Sequence, residues 1–466
     1  METGGSKDDV HAPCLALIAE LRAQLVAQEK RIRDLEARLN KNSQNSSRPP
    51  SSDPPGAPPR PKKPPTGRSP GGQPGHEGHH RPLLPPDQVN QFVNLKPSHC
   101  GKCGHAVSGQ DPDPTRHQVA EIPEELKARI TEYLFHELTC TGCGEATRVE
   151  RPLGVPAGAF GPRLQAFIAY LSGKSHQSKR LTQDVLADFF GVDISLGAIS
   201  TVEETVSAAL AAPVEEASAW VQRQPVVHAD ETSWPVRGKN GWLWAAVTGM
   251  VSVFMIHAHR GKQAARDLLG KFAGHLVTDR WSVYAQWPVE RRQLCWAHLK
   301  RDFEGFLELG EEASKLGTAL SIQVGEVFRL WHRIRDGILQ RSSIGIHLDP
   351  ICMMVRGFLE RGAAGDEPKV AGKCREILKL WPALWTFAHV EGVEPTNNPA
   401  ERAIRPAVLY RKGCFGTQSE KGSRFVSRIL TAVTTLRQQH RNVLTYLTQA
   451  CEAHQTGQPP PSLLPV

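Results

Sequence analysis

The sequence has none of the long apolar runs that membrane proteins carry. Nowhere in its 466 residues is there an apolar stretch of about 18 residues, the length that a membrane-spanning helix needs. Residues 1–9 are polar, with no apolar segment behind a basic start, so we expect no signal peptide. The sequence therefore predicts a cytoplasmic protein without a membrane segment.

Cysteines are also few. Four of the ten form two Cys-x-x-Cys pairs, and the others stand alone. A disulfide framework would be denser and would lie in a shorter chain. The cysteines therefore indicate a reducing compartment, with a metal ion as the partner of the paired thiols.

What the chain does have is length and positive charge. Its length allows roughly two to four domains. Apolar content of 39% and charged content of 22% fit a soluble globular protein with some unpacked sequence. The net charge of +8 favours a polyanionic partner, since net charge governs association rather than fold.

The amino-terminal residues have the spacing of a coiled coil. Apolar side chains recur every seventh residue, with a second set between them, at Ile18, Leu21, Leu25, Ile32, Leu35 and Leu39. This seam predicts a coiled coil over 1–45 and a homo-oligomer, because its natural partner is another copy. The alternative is one amphipathic helix that packs on its own domain. The proline-rich basic segment 46–90 predicts an extended linker, which either touches phosphates or acts as a spacer.

Residues 91–155 carry the strongest local motif. Two pairs with a following glycine have the pattern of zinc knuckles: Cys100, Cys103, Cys140 and Cys143. Four thiolates complete a closed tetrahedral site, so we predict a domain organised by structural Zn²⁺. The alternative is a redox pair, although no thioredoxin-like pattern surrounds either motif. Strands at 116–122 and 129–135 could fill the segment between the pairs.

Residues 156–222 predict a helical DNA-binding region. A helix, a turn at Gly191 and a second helix capped by Ser195 suit a helix-turn-helix, whose second helix would enter a major groove. Lys179 and Arg180 add positive charge beside it. The alternative, equally compatible with the pattern, is an ordinary helical hairpin.

From Pro225 the pattern changes to strands. It predicts strands at 226–230, 241–248, 251–257, 276–279 and 292–295, with a helix at 262–269 after the third. Three antiparallel strands, a helix and then further strands is the order of the ribonuclease H-like α/β fold. We expect a catalytic domain of this class over 223–420, an all-helical insertion at 310–395 and a helical region with a tail at 421–466.

Three acids stand at the ends of these elements. Asp230 and Asp279 each end an apolar run, and Glu401 follows a helix-start signal. In the ribonuclease H-like fold such acids converge, so we predict one site for Mg²⁺ or Mn²⁺, where two hard ions with oxygen ligands would flank a scissile phosphate. The alternative for each acid alone is a surface carboxylate or a helix cap. Glu231 should point away, because side chains alternate along a strand.

Basic and polar residues near these acids could bind DNA phosphates, which position DNA without reading its sequence. Besides the basic pair before the helical turn, they are His298, Lys300, Arg301, Asn398, Arg402, Arg405, Arg411 and Lys412. The alternative is a solvated basic helix face. The spacing of Cys295 and His298 resembles half of a metal site, but no second pair accompanies it, and we interpret it as no metal site.

Several blocks in the same order resemble the DDE transposases of the insertion sequence 66 family. They are the heptad seam, residues 45–53, the two cysteine pairs, His228-Ala229-Asp230-Glu231-Thr232, Thr278-Asp279, Cys295-Trp296-Ala297-His298 and Asn397-Asn398-Pro399-Ala400-Glu401-Arg402. The pattern departs at Gly413, where asparagine is expected.

The resemblance implies the catalytic triad Asp230, Asp279 and Glu401. It also implies binding to the terminal inverted repeats of a mobile element, cleavage there and strand transfer to target DNA, with helper proteins of the same element as further candidate partners. Two other functions fit the residues. One is a non-catalytic DNA-binding regulator, and the other is a ribonuclease H-like nuclease that cuts without joining.

Overall fold

The computed structural model describes residues 7–39 and 82–465. The chain divides into two compact units, one of Pro59–Arg129 and one of Met1–Pro58 with Ile130–Val466. Most of the predicted linker, 46–81, lies outside the described residues. None of the described helices is long and apolar enough to cross a membrane.

The first helix, α1, spans Lys7–Leu39 and confirms a helix where the heptad pattern predicts one. Its seam faces solvent in the single chain, with exposed fractions of 46–79% for Ile18, Leu21, Leu25, Ile32, Leu35 and Leu39. A second copy could cover such a seam. Self-association through it stays a prediction.

The region of the cysteine pairs contains little regular structure. Strands β1 (Glu137–Thr139) and β2 (Ala146–Arg148) form an antiparallel hairpin. The strands predicted at 116–122 and 129–135 are wrong, because these segments enter no β ladder. Their apolar side chains, such as Val119 at 78% exposure, have no core to pack on, and a strand is stabilised by packing rather than by alternation alone.

Four helices lie between the β1–β2 hairpin and the central sheet. They are α2 (Pro162–Ala169), α3 (Lys179–Phe190), α4 (Leu196–Ala209) and α5 (Ala211–Val221), with a π-helical turn at Tyr170–Lys174. Gly191 ends α3 with a left-handed φ of 62°, and the Ser195 hydroxyl accepts the Ala198 N–H to cap α4. The predicted helix, turn and helix are therefore confirmed as secondary structure.

The central sheet lies in the second half of the chain. Its strands are β3 (Val226–Ser233), β4 (Trp242–Val247), β5 (Ser252–His257), β6 (His275–Thr278) and β7 (Arg292–Leu294). Their spatial order is β5-β4-β3-β6-β7. The first three strands are antiparallel, and β6 and β7 run parallel to β3. Helix α6 (Lys262–Leu269) makes the crossover that a parallel neighbour requires. This mixed sheet is consistent with a ribonuclease H-like core.

Helices dominate the chain after β7. They are α7 (Trp296–Glu304), α8 (Glu311–Arg335), α9 (Ile344–Ala364), α10 (Pro368–Lys379), α11 (Pro382–His389), α12 (Asn398–Cys414), α13 (Glu420–Gln438) and α14 (Val443–Thr456). Short 3₁₀ turns lie at Pro86–Gln88, Ser282–Gln286, Val289–Arg291, Gly305–Glu308 and Arg341–Ser343. The described residues 310–395 contain helices and no strand, as predicted.

Two hydrophobic clusters hold the sheet. One joins β3, β4 and β5 to α2–α6 and α12–α14, and the other joins β6 and β7 to α7–α11. Neighbouring residues Leu276 and Val277 of β6 lie in different clusters, so this strand is buried on both faces. The carboxyl ends of β3 and β6 are therefore fixed by packing on both sides of the sheet.

Candidate active site

The first two acids lie side by side at the end of the sheet. The parallel register pairs His228 with Val277, and two residues further on it brings Asp230 next to Asp279. Each carboxylate accepts one backbone N–H over 2.9 Å, Asp230 Oδ1 from Glu231 and Asp279 Oδ1 from Trp281. These bonds orient both side chains and leave their other oxygen atoms for a further ligand.

The negative charge of the third acid also acts on Asp230. Burial raises the pKa of Asp230 well above its ordinary value, and the negative charges of Glu231, Asp279 and Glu401 raise it further. Each charge opposes ionisation of its neighbours. A cation among these carboxylates would remove the repulsion, so the donor set fits a hard divalent ion.

Glu401 reaches the site from the first turn of α12. Its Oε1 atom lies 3.4 Å from His298 Nδ1 and 3.7 Å from Arg301 Nη2. Glu401 Oε1 and His298 Nδ1 are buried atoms that make no hydrogen bond within the described residues. His298 and Arg301 were predicted to bind DNA, and the structure places both against the third acid.

Glu401 also belongs to a cluster with Cys295 and His298, whose ligand atoms all lie within 4.8 Å of one another. The sequence interpretation excluded a metal here because it saw only the Cys-x-x-His spacing, without the glutamate. The electrostatics still oppose a cation bound to the sulfur, because burial raises the pKa of the Cys295 thiol to about 11 and keeps it protonated.

Both carboxylate oxygens of Glu231 are engaged by partners other than the acids, although its charge acts on Asp230. Its Oε1 accepts from Arg260 Nε and Nη2 at 3.1 and 2.6 Å, and its Oε2 accepts the Tyr284 hydroxyl proton at 2.7 Å. The Arg260 guanidinium stacks between Trp242 and Trp281. With both oxygen atoms engaged, Glu231 buttresses the site, and its placement outside the ligand set stays a prediction.

The predicted DNA-binding residues fall into two groups. Arg402, Arg405 and Lys412 form an exposed stripe on α12, and Arg180 and Lys300 are exposed as well. Lys179 pairs with Glu203 at 2.9 Å, and Arg411 donates to Thr232 and Ser233 at the end of β3. The exposed stripe is available to a phosphate backbone, whereas Lys179 and Arg411 already have intramolecular partners.

A polar cavity of about 350 Å³ opens beside the first turn of α12. It is lined by Asn398 and Arg402 from α12 and by Phe328, Trp331 and Arg335 from α8. Asn398 therefore lies three residues before Glu401 in the chain but lines a cavity shared with the helical insertion.

Family comparison decides the class of this arrangement. The model described as "Transposase IS66 family" matches residues 157–425, which include β3 to β7, α12 and all three acids. The chain belongs to the IS66 transposase family. Members are DDE transposases, so the family implies phosphoryl transfer with divalent metal ions. A second model, described as "Family of unknown function (DUF6444)", matches residues 7–82.

Two similar proteins come from Sinorhizobium fredii (strain NBRC 101917 / NGR234). "Uncharacterized protein y4hP" is 22% identical over 390 residues, which cover 76% of this chain and 70% of that protein. "Uncharacterized protein y4qI" is 27% identical over 263 residues, which cover 50% of this chain and 48% of that protein. Neither name states an activity.

In this transposase the two cysteine pairs have the same local geometry. The Cys100 N–H donates to His105 O at 2.8 Å, and the Cys140 N–H donates to Glu145 O at the same distance. Gly104 and Gly144 each follow their pair with a φ of 73°, where a side chain would be strained. Neighbouring backbone N–H groups lower the pKa of Cys100 and Cys140. Each turn therefore favours the thiolate form that a metal binds.

Arg260 and Tyr284, which bind Glu231 beside the acids of the transposase site, carry no sequence signal of their own. Arg260 and Tyr284 lie 29 and 53 residues from Glu231 along the chain. Nothing in their local pattern marks them, because only the fold brings them to the acid. The one available signal was Glu231 itself, a second acid at the end of a buried strand.

Proposed function

We propose that this transposase binds the terminal inverted repeats of a mobile element, cleaves the DNA there and joins the freed ends to target DNA. The observation that carries the proposal is a buried acid among other acids: burial raises the pKa of Asp230, and the charges of Glu231, Asp279 and Glu401 raise it further. Carboxylates held together in this way need positive charge, and divalent ions are the partners that suit oxygen ligands.

In this proposal Asp230, Asp279 and Glu401 hold Mg²⁺ or Mn²⁺. Divalent ions bound there would stabilise charge on the attacking and leaving oxygens of the phosphoryl transfer. The task of the three acids is to fix the ions at the right separation, and the N–H groups that orient Asp230 and Asp279 serve that task. A covalent enzyme nucleophile is not required.

The exposed residues of α12 would place the DNA backbone beside the acids. Arg402, Arg405 and Lys412 recur at helical spacing along α12, whose first turn carries Glu401. Contacts of this kind set position rather than sequence preference. The α3–α4 pair is a second candidate surface, on which Arg180 is exposed and Lys179 would have to leave Glu203.

Structural zinc and self-association complete the proposal. The support for zinc at Cys100, Cys103, Cys140 and Cys143 is the repeated knuckle geometry and the lowered pKa of one thiol in each pair. The support for oligomers is the exposed seam of α1. Metal analysis of the purified protein tests the first, and light scattering of the full chain tests the second.

The decisive experiment measures cleavage of matched element ends by the wild type and by Glu401→Gln, with Mg²⁺ or Mn²⁺. We expect cleavage by the wild type and at most a trace by the variant. Pre-cleaved ends then test joining in a strand-transfer assay. Cutting without joining would favour the nuclease, and an Asp230→Ala variant with every activity intact would favour the non-catalytic regulator.

A further inference from the structure

One buried side chain connects the segments that carry the acids. Asn397 is completely buried and directly precedes α12. Its Nδ2 donates to the carbonyl oxygen of Ala229 at 2.8 Å. Since Ala229 immediately precedes Asp230, this bond fixes the end of β3 against the start of the helix that carries Glu401.

The backbone of Asn397 extends the connection to the other acids. Its N–H points at Cys295 Sγ at 3.2 Å, and the Cys295 N–H donates to Thr278 O at 2.8 Å, next to Asp279. Its carbonyl oxygen accepts the Glu401 N–H at 3.1 Å. One residue therefore reaches the backbone beside all three acids through one or two hydrogen bonds.

His228 fixes the orientation of the Asn397 amide. Because Asn397 Nδ2 donates to Ala229, its Oδ1 is the acceptor, and His228 Nδ1 lies 3.3 Å away as the donor. This hydrogen bond therefore requires the ring proton of His228 on Nδ1. Removing the amide would leave both His228 and Ala229 without their buried partner.

We propose that Asn397 is a positioning residue of the metal site. It touches neither ion nor DNA, but it sets the spacing of Asp230, Asp279 and Glu401, and so the affinity for divalent ions. The proposal rests on the proposed function only in taking these acids as metal ligands. A spacing error of about 1 Å is enough to weaken a site whose ligands must converge.

The test measures Mn²⁺ binding to the full chain without DNA, with Asp230→Asn to identify the signal from the acids. We expect Asn397→Ala to bind Mn²⁺ at this site at least tenfold more weakly than the wild type. Activity should return in part at high Mn²⁺, because the acids themselves remain. Binding of element ends in EDTA should be unchanged.

Thr435→Val is the matched control. Thr435 is also completely buried and makes two hydrogen bonds, accepting from Ser252 N at 3.0 Å and donating to Ser252 O at 3.1 Å. It lies at the β5 edge of the sheet, away from the acids. We expect the Mn²⁺ affinity of Thr435→Val to stay within twofold of the wild type, although this variant also loses two buried side-chain hydrogen bonds.

Mn²⁺ affinity in Asn397→Ala equal to the wild type would overturn the proposal, and so would an equal loss in Thr435→Val, which would make the role merely structural. If Asn397→Ala does not fold, His228→Ala is the second variant. It removes only the 3.3 Å bond to Asn397 Oδ1 and should weaken Mn²⁺ binding about threefold. Unchanged Mn²⁺ affinity in this variant would contradict the proposal. The two proposals can also fail separately. If the wild type binds Mn²⁺ through Asp230 and this binding needs Asn397, but the wild type does not cleave element ends, then the proposed function is wrong and the positioning role of Asn397 stands.

Discussion

The acid cluster and the cysteine pairs are both sets of candidate metal ligands, but the chain supports them differently. The acids stand on strands and a helix whose apolar side chains lie in two buried clusters. Of the described residues 82–155, none is buried. Order around each cysteine pair comes from turn hydrogen bonds and, at the second pair, one short hairpin.

The difference concerns what the metal has to supply. Catalytic ions must leave positions for substrate, so the fold has to build the site in advance and tolerate the repulsion of its carboxylates. A structural ion has all its positions filled by protein and can organise the segment around itself. The acid site should therefore exist without metal, whereas the cysteine region should depend on it.

The largest effect should come from the acids themselves. Asp230→Asn removes one ionised ligand while keeping its shape, so we expect cleavage at saturating DNA to fall by about a thousandfold or more. Cys103→Ser should lower the same rate much less, because it lies outside the chemistry. The cleavage rates are measured in a gel-based assay. Equal losses of rate in Asp230→Asn and Cys103→Ser would contradict the different roles of the two regions.

Removing zinc should affect only the cysteine region. In a strong chelator, trypsin should cut between Lys96 and Arg151 about a hundredfold faster, because the turns open without their ion. All ten tryptophans lie between Trp220 and Trp385, so a thermal melt followed by tryptophan fluorescence reports on the core and should not move. A large shift of that melt on chelation, in protein prepared without added Mg²⁺ or Mn²⁺, would contradict this division.

Mild acid should weaken the core through His228. Its pKa in the folded state is about 4, against 6.5 for the free side chain, so the unfolded chain takes up the proton first. The stability present above pH 6.5 is lost as pH falls toward 4, by about 2 kcal/mol between pH 7 and pH 5. Urea melts of the wild type and His228→Asn should differ in pH dependence by this amount.

Asp230 works in the opposite direction, because its pKa is raised. A carboxyl that the fold prefers protonated stabilises the fold at low pH, and that contribution is lost as pH rises. Without metal at pH 7, Asp230→Asn should therefore be more stable than the wild type by about 1 kcal/mol, a typical size for one substitution. Mn²⁺ should raise the melting temperature of the wild type more than that of the variant. If the metal-free wild type were instead more stable than metal-free Asp230→Asn, the ionised Asp230 carboxylate would not destabilise the fold.

The sequence predicted the strands because each was marked locally. The role of the acids as metal ligands was inferred from the same local marks and stays a prediction. Asp230 and Asp279 end apolar runs, and burial on both faces of β6 makes such a run visible. The strands expected around Val119 failed because alternation is a signal only where a face is buried. The insertion after β7 was visible because helical spacing survives without knowledge of what the helices pack on.

The connections between these elements could not be read in the same way. Asn397 and Ala229 are 168 residues apart, and Asn397 and Cys295 are 102 apart. Such pairs leave no periodic trace in one sequence. The contact of Glu401 with His298 was hidden for the same reason, and the role of His298 in DNA binding stays a prediction.

The bond between Asn397 and Ala229 also has a consequence for synthesis. It closes a loop of 168 residues, and loops of that length form late because their ends meet rarely. A nascent chain that has emerged as far as the insertion carries two acids but lacks the third and the residue that aligns them. We expect the polypeptide to become able to cut DNA only after α12 has left the ribosome, so products truncated before α12 should be harmless to the genome that encodes them.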